Sequence, residues 1–122
     1  DLSVYPSYYE PWGYTPLESV AFRVPTITTT LAGFGLWMNS EVGHEGEIED
    51  GVKVIERTDG NHSDVADAIR NTVVDYSNMS DTQVKKMREK ARRLSKKALW
   101  NRFIVHYERA YDLALRKAEA RK

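Results

Sequence analysis

Three short stretches of the chain place apolar and polar residues in the pattern of β-strands. "LSVYPS" (2–7) alternates and reads as a short strand over 2–5 that ends at Pro6. "VPTITTTL" (24–31) is rich in β-branched residues and reads as a second strand. "GVKVIER" (51–57) alternates cleanly and reads as a third. Between the first two, a helix is expected from Thr15 to about Phe22; "AGFG" (32–35) is expected to be a flexible turn, and "TDGN" (58–61) a turn with Asp59-Gly60 supplying a positive φ. Beyond Asn61 the period becomes helical. Ser63 can cap a helix with Asp64 and Asp67 near its start and Val65, Ala68, Ile69 and Val73 on one face. Ser80-Asp81-Thr82-Gln83 has the capping-box spacing and opens a second helix whose seam is Val84, Met87, Ala91, Leu94 and Ala98. A third helical stripe runs through Trp100, Phe103, Ile104, Tyr107, Tyr111, Ala114 and Leu115, a pattern that is more often core than ligand site.

Strands alternating with helices predict an α/β layer structure with short parallel strands, followed by a helical C-terminal tail. The strands are too few for a complete doubly wound domain, so the expected architecture is the C-terminal half of a Rossmann-like one. Length agrees: 122 residues make one domain. At 41% hydrophobic and 30% charged the composition is globular, and no run of about 18 apolar residues exists. There is no cysteine, hence no disulfide framework or thiolate metal site, and no signal-peptide pattern. A cytoplasmic setting is expected. The chain opens at Asp1, directly before the first strand and without methionine, which is read as a piece cut from a longer protein. The net charge of zero hides an asymmetry: residues 41–63 carry seven acids against Lys53 and Arg57, while residues 64–122 carry fifteen Lys and Arg against eight acids.

The chemistry concentrates in "YYEPWGYTPLES" (8–19). Thr15, Pro16 and Glu18 by themselves fit a capping box, with Pro at the first helical position, and need no function. The surroundings suggest more. Ligands of open α/β sheets bind beyond the carboxyl ends of strands, and a helix N-terminus there offers unpaired N–H groups to phosphate. Gly13 would let the backbone approach a ligand, and Glu10 and Glu18 would flank the cradle. Carboxylates beside bound phosphates suit sugar or ribose hydroxyls, which describes a nucleotide-sugar pocket.

"SYYEPWGYTPLES" (7–19) resembles the E-x7-E motif of retaining GT-B glycosyltransferases, and most of all of glycogen synthases of the eukaryotic type. "VPTITTTLAGFG" (24–35) and the helical "RLSKKALWNRFIVHYERAYDLALRKA" (93–118) are similar to the same family, so the resemblance covers most of the chain, least clearly at 41–50. It implies that residues 1–122 are part of the C-terminal nucleotide-sugar-binding domain. It also implies that Glu10 is catalytic, meeting the donor sugar near the reacting carbon and stabilising an oxocarbenium-like transition state. The backbone N–H groups of Trp12 and Gly13 would hold that sugar, Tyr14 and Thr15 would contact the diphosphate, and Glu18 would bind the ribose. The implied reaction moves glucose from UDP-glucose or ADP-glucose to an α-1,4-glucan with retention. Neither cofactor nor metal is expected, and none of the three histidines has metal-ligand spacing. The implied partners are the donor, the glucan acceptor and the N-terminal GT-B domain of the same full-length chain; the family's Arg and Lys for the diphosphate are expected in sequence upstream of Asp1. Nucleic acid and membrane are not expected. Alone, the chain is expected to be inactive.

Two alternatives stand beside this reading: another retaining GT-B enzyme with a different acceptor, or a nucleic-acid-binding or scaffold module using the basic helix 84–97. "VKKMREKARRLSKK" lacks the interleaved aromatics of single-strand binders and reads as a solvated helix face. Regulated glycogen synthases resemble it with an arginine-rich helix that senses a sugar phosphate; here the run is lysine-heavy. "GFG" (33–35) is followed by Met38 where a dinucleotide fingerprint needs glycine, so it is not one. "EVGHEGEIED" (41–50) reads as a mobile acidic loop. Part of the aromatic stripe of the last helix is read as an interface with the N-terminal domain.

Overall fold

The computed structural model describes residues 1–121. Three parallel strands, β1 (Ser3–Val4), β2 (Thr26–Thr29) and β3 (Val52–Ile55), lie side by side in chain order. Their register pairs Ser3 with Thr26, Thr26 with Val52 and Thr29 with Ile55. Parallel neighbours need a crossover, and helices supply it: α1 (Tyr14–Ala21) joins β1 to β2, and α2 (Gly33–Val42) joins β2 to β3. Three further helices follow: α3 (His62–Ser77), α4 (Asp81–Ser95) and α5 (Trp100–Glu119).

Both sheet faces are covered, as parallel sheets require. On one face Val20 of α1, Phe34 and Met38 of α2, and Ala91 and Leu94 of α4 enclose Val52 and Val54. On the other, Ile27 and Ile55 pack against Val65, with Leu2, Ala68 and Ile69 alongside. Every residue of β2 is therefore buried; Thr26 Oγ1 donates to the Val24 carbonyl at 3.0 Å and Thr29 Oγ1 to the Ser7 carbonyl at 2.6 Å, whereas Thr28 Oγ1 has no partner among the described residues. The capping box at Ser80 is formed in full, with the Gln83 side chain accepting from the Ser80 N–H at 3.0 Å.

Several expectations are corrected. "AGFG" is not a turn but the start of α2, and its glycines are there for close packing. A Cβ on Gly33 would sit 2.3 Å from the Pro11 carbonyl oxygen, and one on Gly35 2.2 Å from that of Thr29. The acidic segment is built rather than loose. Ile48 is buried, Ile48–Asp50 forms a 3-10 turn closed by Glu47 and Asp50, and Glu47, Asp50 and Glu41 pair with Lys53, Lys90 and Lys97. α3 begins one residue before Ser63, with Asn61 at its N-cap and no side-chain cap; Thr72 takes the buried place expected of Val73. The stripe on α5 is not core, for no residue of that helix is buried.

Candidate active site

The loop 6–13 leaves the carboxyl end of β1 and is fastened against its neighbours before α1 begins. Glu10 forms a single parallel bridge with Ala32: its N–H donates to the Leu31 carbonyl at 3.0 Å, and its carbonyl accepts from the Gly33 N–H at 3.1 Å. The Trp12 carbonyl accepts from the Phe34 N–H at 2.6 Å. The first N–H groups of α2 are thus occupied by carbonyls of the loop. That helix N-terminus is closed to a ligand.

The N-terminus of α1 is different. Gly13 is its N-cap with φ +102, a left-handed conformation that a side chain rarely adopts, and a Cβ there would lie 3.1 Å from the Pro16 side chain. No side chain caps this helix. Among the described residues, no backbone carbonyl accepts from the N–H groups of Trp12, Gly13, Tyr14 or Thr15. Unpaired N–H groups at a helix N-terminus carry a partial positive charge. The capping box expected at Thr15 and Glu18 is absent, because the helix starts at Tyr14 and puts Thr15 inside its first turn. Left-handed Gly13 turns the chain earlier than a Thr15 cap would.

Each sequence-predicted site residue can now be placed. The Glu10 side chain is exposed, and its Cγ lies 3.5 Å from where a Gly13 Cβ would stand, so its stem packs beside the N-cap of α1. Tyr14 and Thr15 are exposed on the first turn. Glu18, also exposed, follows Tyr14 by four residues and so shares its face of the helix. The Trp12 indole turns inward instead. It meets Phe34 edge-on at 6.4 Å, Trp37 at 5.8 Å and Phe103 of α5 at 6.3 Å. The Trp12 ring therefore anchors the loop. An open cleft of about 400 Å³ between α1 and α5 is lined by Trp12, Tyr14, Leu17, Trp100, Phe103 and Tyr107.

Residues after β3 also reach this loop, which the sequence reading did not foresee. Arg57 donates to the Pro6 carbonyl at 2.5 Å and lies over the Tyr8 ring, and the Tyr8 hydroxyl donates to Asp59. That hydrogen bond, and then the Asp59 charge, hold the Tyr8 phenol above its ordinary pKa. An Arg two residues past a parallel strand, followed by a turn with Asp, was the available signal.

A loop from a strand's carboxyl end into a glycine-capped helix, on a parallel sheet covered on both faces, defines part of a Rossmann-like α/β domain. The glycogen synthase family model matches residues 1–122, and the chain belongs to that family. It is 36% identical over 117 residues to glycogen (starch) synthase of Neurospora crassa. It is 33% identical to isoform 1 of that enzyme from Saccharomyces cerevisiae and 32% to the human liver enzyme, each over 117 residues. These matches cover 96% of this chain and 16% of each relative.

Proposed function

We propose that the chain is part of the C-terminal nucleotide-sugar-binding domain of a retaining GT-B glycosyltransferase, the rest of the enzyme lying in a longer protein. In this reading glucose passes from UDP-glucose or ADP-glucose to the non-reducing end of an α-1,4-glucan. The observation that carries it is the uncapped N-terminus of α1, with left-handed Gly13 at its head and the Glu10 stem beside it. A leaving diphosphate needs exposed donors and a positive potential, and the first turn of α1 offers both. The N–H groups of Tyr14 and Thr15 meet the diphosphate, and those of Trp12 and Gly13 meet the sugar. The Glu10 carboxylate faces the positive charge that develops at the reacting carbon, and Glu18, one turn along, holds the ribose. Preorganised electrostatics of this kind act on the transition state. In this reading the donor diphosphate's basic partners and the acceptor-side domain belong to other parts of the longer protein. The setting is cytoplasmic; no helix among the described residues is long and apolar enough to cross a membrane.

The basic helix is a weak alternative. α4 turns its seam inward, and part of its charge meets partners within the chain. Lys90 pairs with Asp50, Glu89 with Arg23, and Arg92 donates to the Ala21 carbonyl. Lys85, Lys86, Arg88, Arg93 and Lys96 form no ion pair among the described residues, but no aromatic side chain interleaves the run to stack on bases, so nucleic acid is not proposed as a partner.

The test is kinetic, in the full-length enzyme with a labelled nucleotide-sugar donor. Glu10→Gln is expected to lower kcat by about 10²–10³-fold, the size of losing one preorganised transition-state contact. Glu18→Gln should raise donor KM and leave kcat within a few-fold, as expected for a ground-state contact. Equal losses in kcat would refute the assignment of roles. The isolated chain should bind nucleoside diphosphates only weakly and transfer no glucose, because paired Arg and Lys contacts strengthen phosphate binding. Micromolar binding by calorimetry would show that the site is complete without the N-terminal domain.

A further inference from the structure

The strand order β1-β2-β3 means that residues after β3 reach residues after β1 only across the end of β2. Two strand spacings, about 9.5 Å, must be spanned, and only long side chains do so. Arg57 Nη1 donates to the Pro6 carbonyl at 2.5 Å, and its guanidinium carbon lies 5.3 Å from the centre of the Tyr8 ring. The Tyr8 hydroxyl donates to Asp59 Oδ1. The foot of this bracket is itself held. The Arg57 N–H donates to Thr30 Oγ1 at 3.0 Å, and Thr29 Oγ1 donates to the Ser7 carbonyl at 2.6 Å. Two residues beyond Tyr8 stands Glu10, whose backbone is bonded only towards β2 and α2. Its carboxylate has no hydrogen bond or ion pair with any described residue, so the backbone of its loop is what aims it.

We propose that Tyr8, Arg57 and Asp59 are positioning residues for the Glu10 carboxylate, bracing the β3 side of its loop; this rests on Glu10 being the group that faces the donor sugar. The physical demand is precision: misplacing a reacting group by about 1 Å costs on the order of a hundredfold in rate. Tyr8 and Asp59 are exposed, and contacts of that kind add little to global stability. The bracket can therefore be cut without unfolding the chain, which separates aiming from folding.

In the full-length enzyme, Tyr8→Phe and Asp59→Ala are each expected to lower kcat about tenfold with donor KM within about twofold of the parent. Arg57→Met, which cuts both the Pro6 and Tyr8 contacts, should lower kcat further. Asp59→Asn keeps an oxygen acceptor and should restore kcat to within about twofold, and the Tyr8→Phe/Asp59→Ala double variant should lose no more than either single change. Melting temperatures and near-UV dichroism report folding, and Tyr8→Phe, which removes one exposed oxygen, decides the matter if Asp59→Ala fails to fold. Glu10→Gln is the control. If it turns over like the parent, the reading of the site fails whatever the bracket does. If it is inactive while Tyr8→Phe and Asp59→Ala behave like the parent, the positioning role is overturned. A raised donor KM at unchanged kcat would overturn it too, by making these residues ligand contacts.

Discussion

Helix α4 buries Met87, Ala91 and Leu94, whereas α5, with larger apolar residues at the same helical spacing, buries none of them. The difference is not one of amphipathic strength. α4 has a small residue at the middle of its seam, and that lets it approach the sheet until Gly51 meets Ala91 backbone to backbone. Val20, Val52 and Val54 then close around it. The stripe of α5 is broad and aromatic. It touches the body mainly where Phe103 meets Trp12, leaving Trp100, Tyr107, Tyr111 and Leu115 exposed. A periodic stripe thus declares a face that has to be covered; the shape of the opposing surface decides whether this chain covers it.

The sharpest way to break the comparison is at the α4 contact. Gly51 has φ +94, and a Cβ on it would lie 2.5 Å from the Ala91 nitrogen, a backbone atom that cannot swing aside. Gly51→Ala is expected to cost about 4 kcal/mol or more, enough to leave little folded chain, because strain at a special φ adds to overpacking. Urea denaturation followed by circular dichroism measures it, and a loss under 1 kcal/mol would mean that α4 is not seated as described. A middle-sized effect lies at the entrance to the same helix. Ser80→Ala removes the cap that accepts from Gln83 and should cost about 1 kcal/mol in the same assay. The smallest effect belongs to α5: Tyr111→Ser and Leu115→Ser should each change stability by no more than about 0.5 kcal/mol, since neither side chain is packed. A loss comparable to that at Gly51 would put α5 in the core after all.

Legibility followed the range of the interactions. The three strands, the long helices and the Ser80 box all stood in local pattern, because alternation, helical spacing and an S-x-x-Q cap are written within one element. α2 did not, because its two N-terminal glycines look like turn residues. Their reason is distant: the carbonyls of Pro11 and Thr29 occupy the space their side chains would need. The acidic segment misled in the same way, since five acids in ten residues suggest solvent until Lys53, Lys90 and Lys97 are brought to them.

At the candidate site, the run Glu10-Pro11-Trp12-Gly13-Tyr14-Thr15 and Glu18 could be picked out by residue type and spacing, and the family by the resemblance of that run to a known motif. Which atoms of those residues are free could not. Thr15 and Glu18 spell a capping box, yet Gly13 starts the helix earlier, and Trp12 spends its ring on Phe34, Trp37 and Phe103. Composition and periodicity by themselves determined an α/β chain with a loop carrying Glu10 and Gly13 before its first helix, because those features follow from single residues and their near neighbours. Only the tertiary structure decided that α2's N-terminus is sealed, that α1's is open, and that Arg57 and Asp59 reach Tyr8 across β2. Each of these depends on which strand lies beside which, and strand order is a property of the folded sheet, not of any one stretch of sequence.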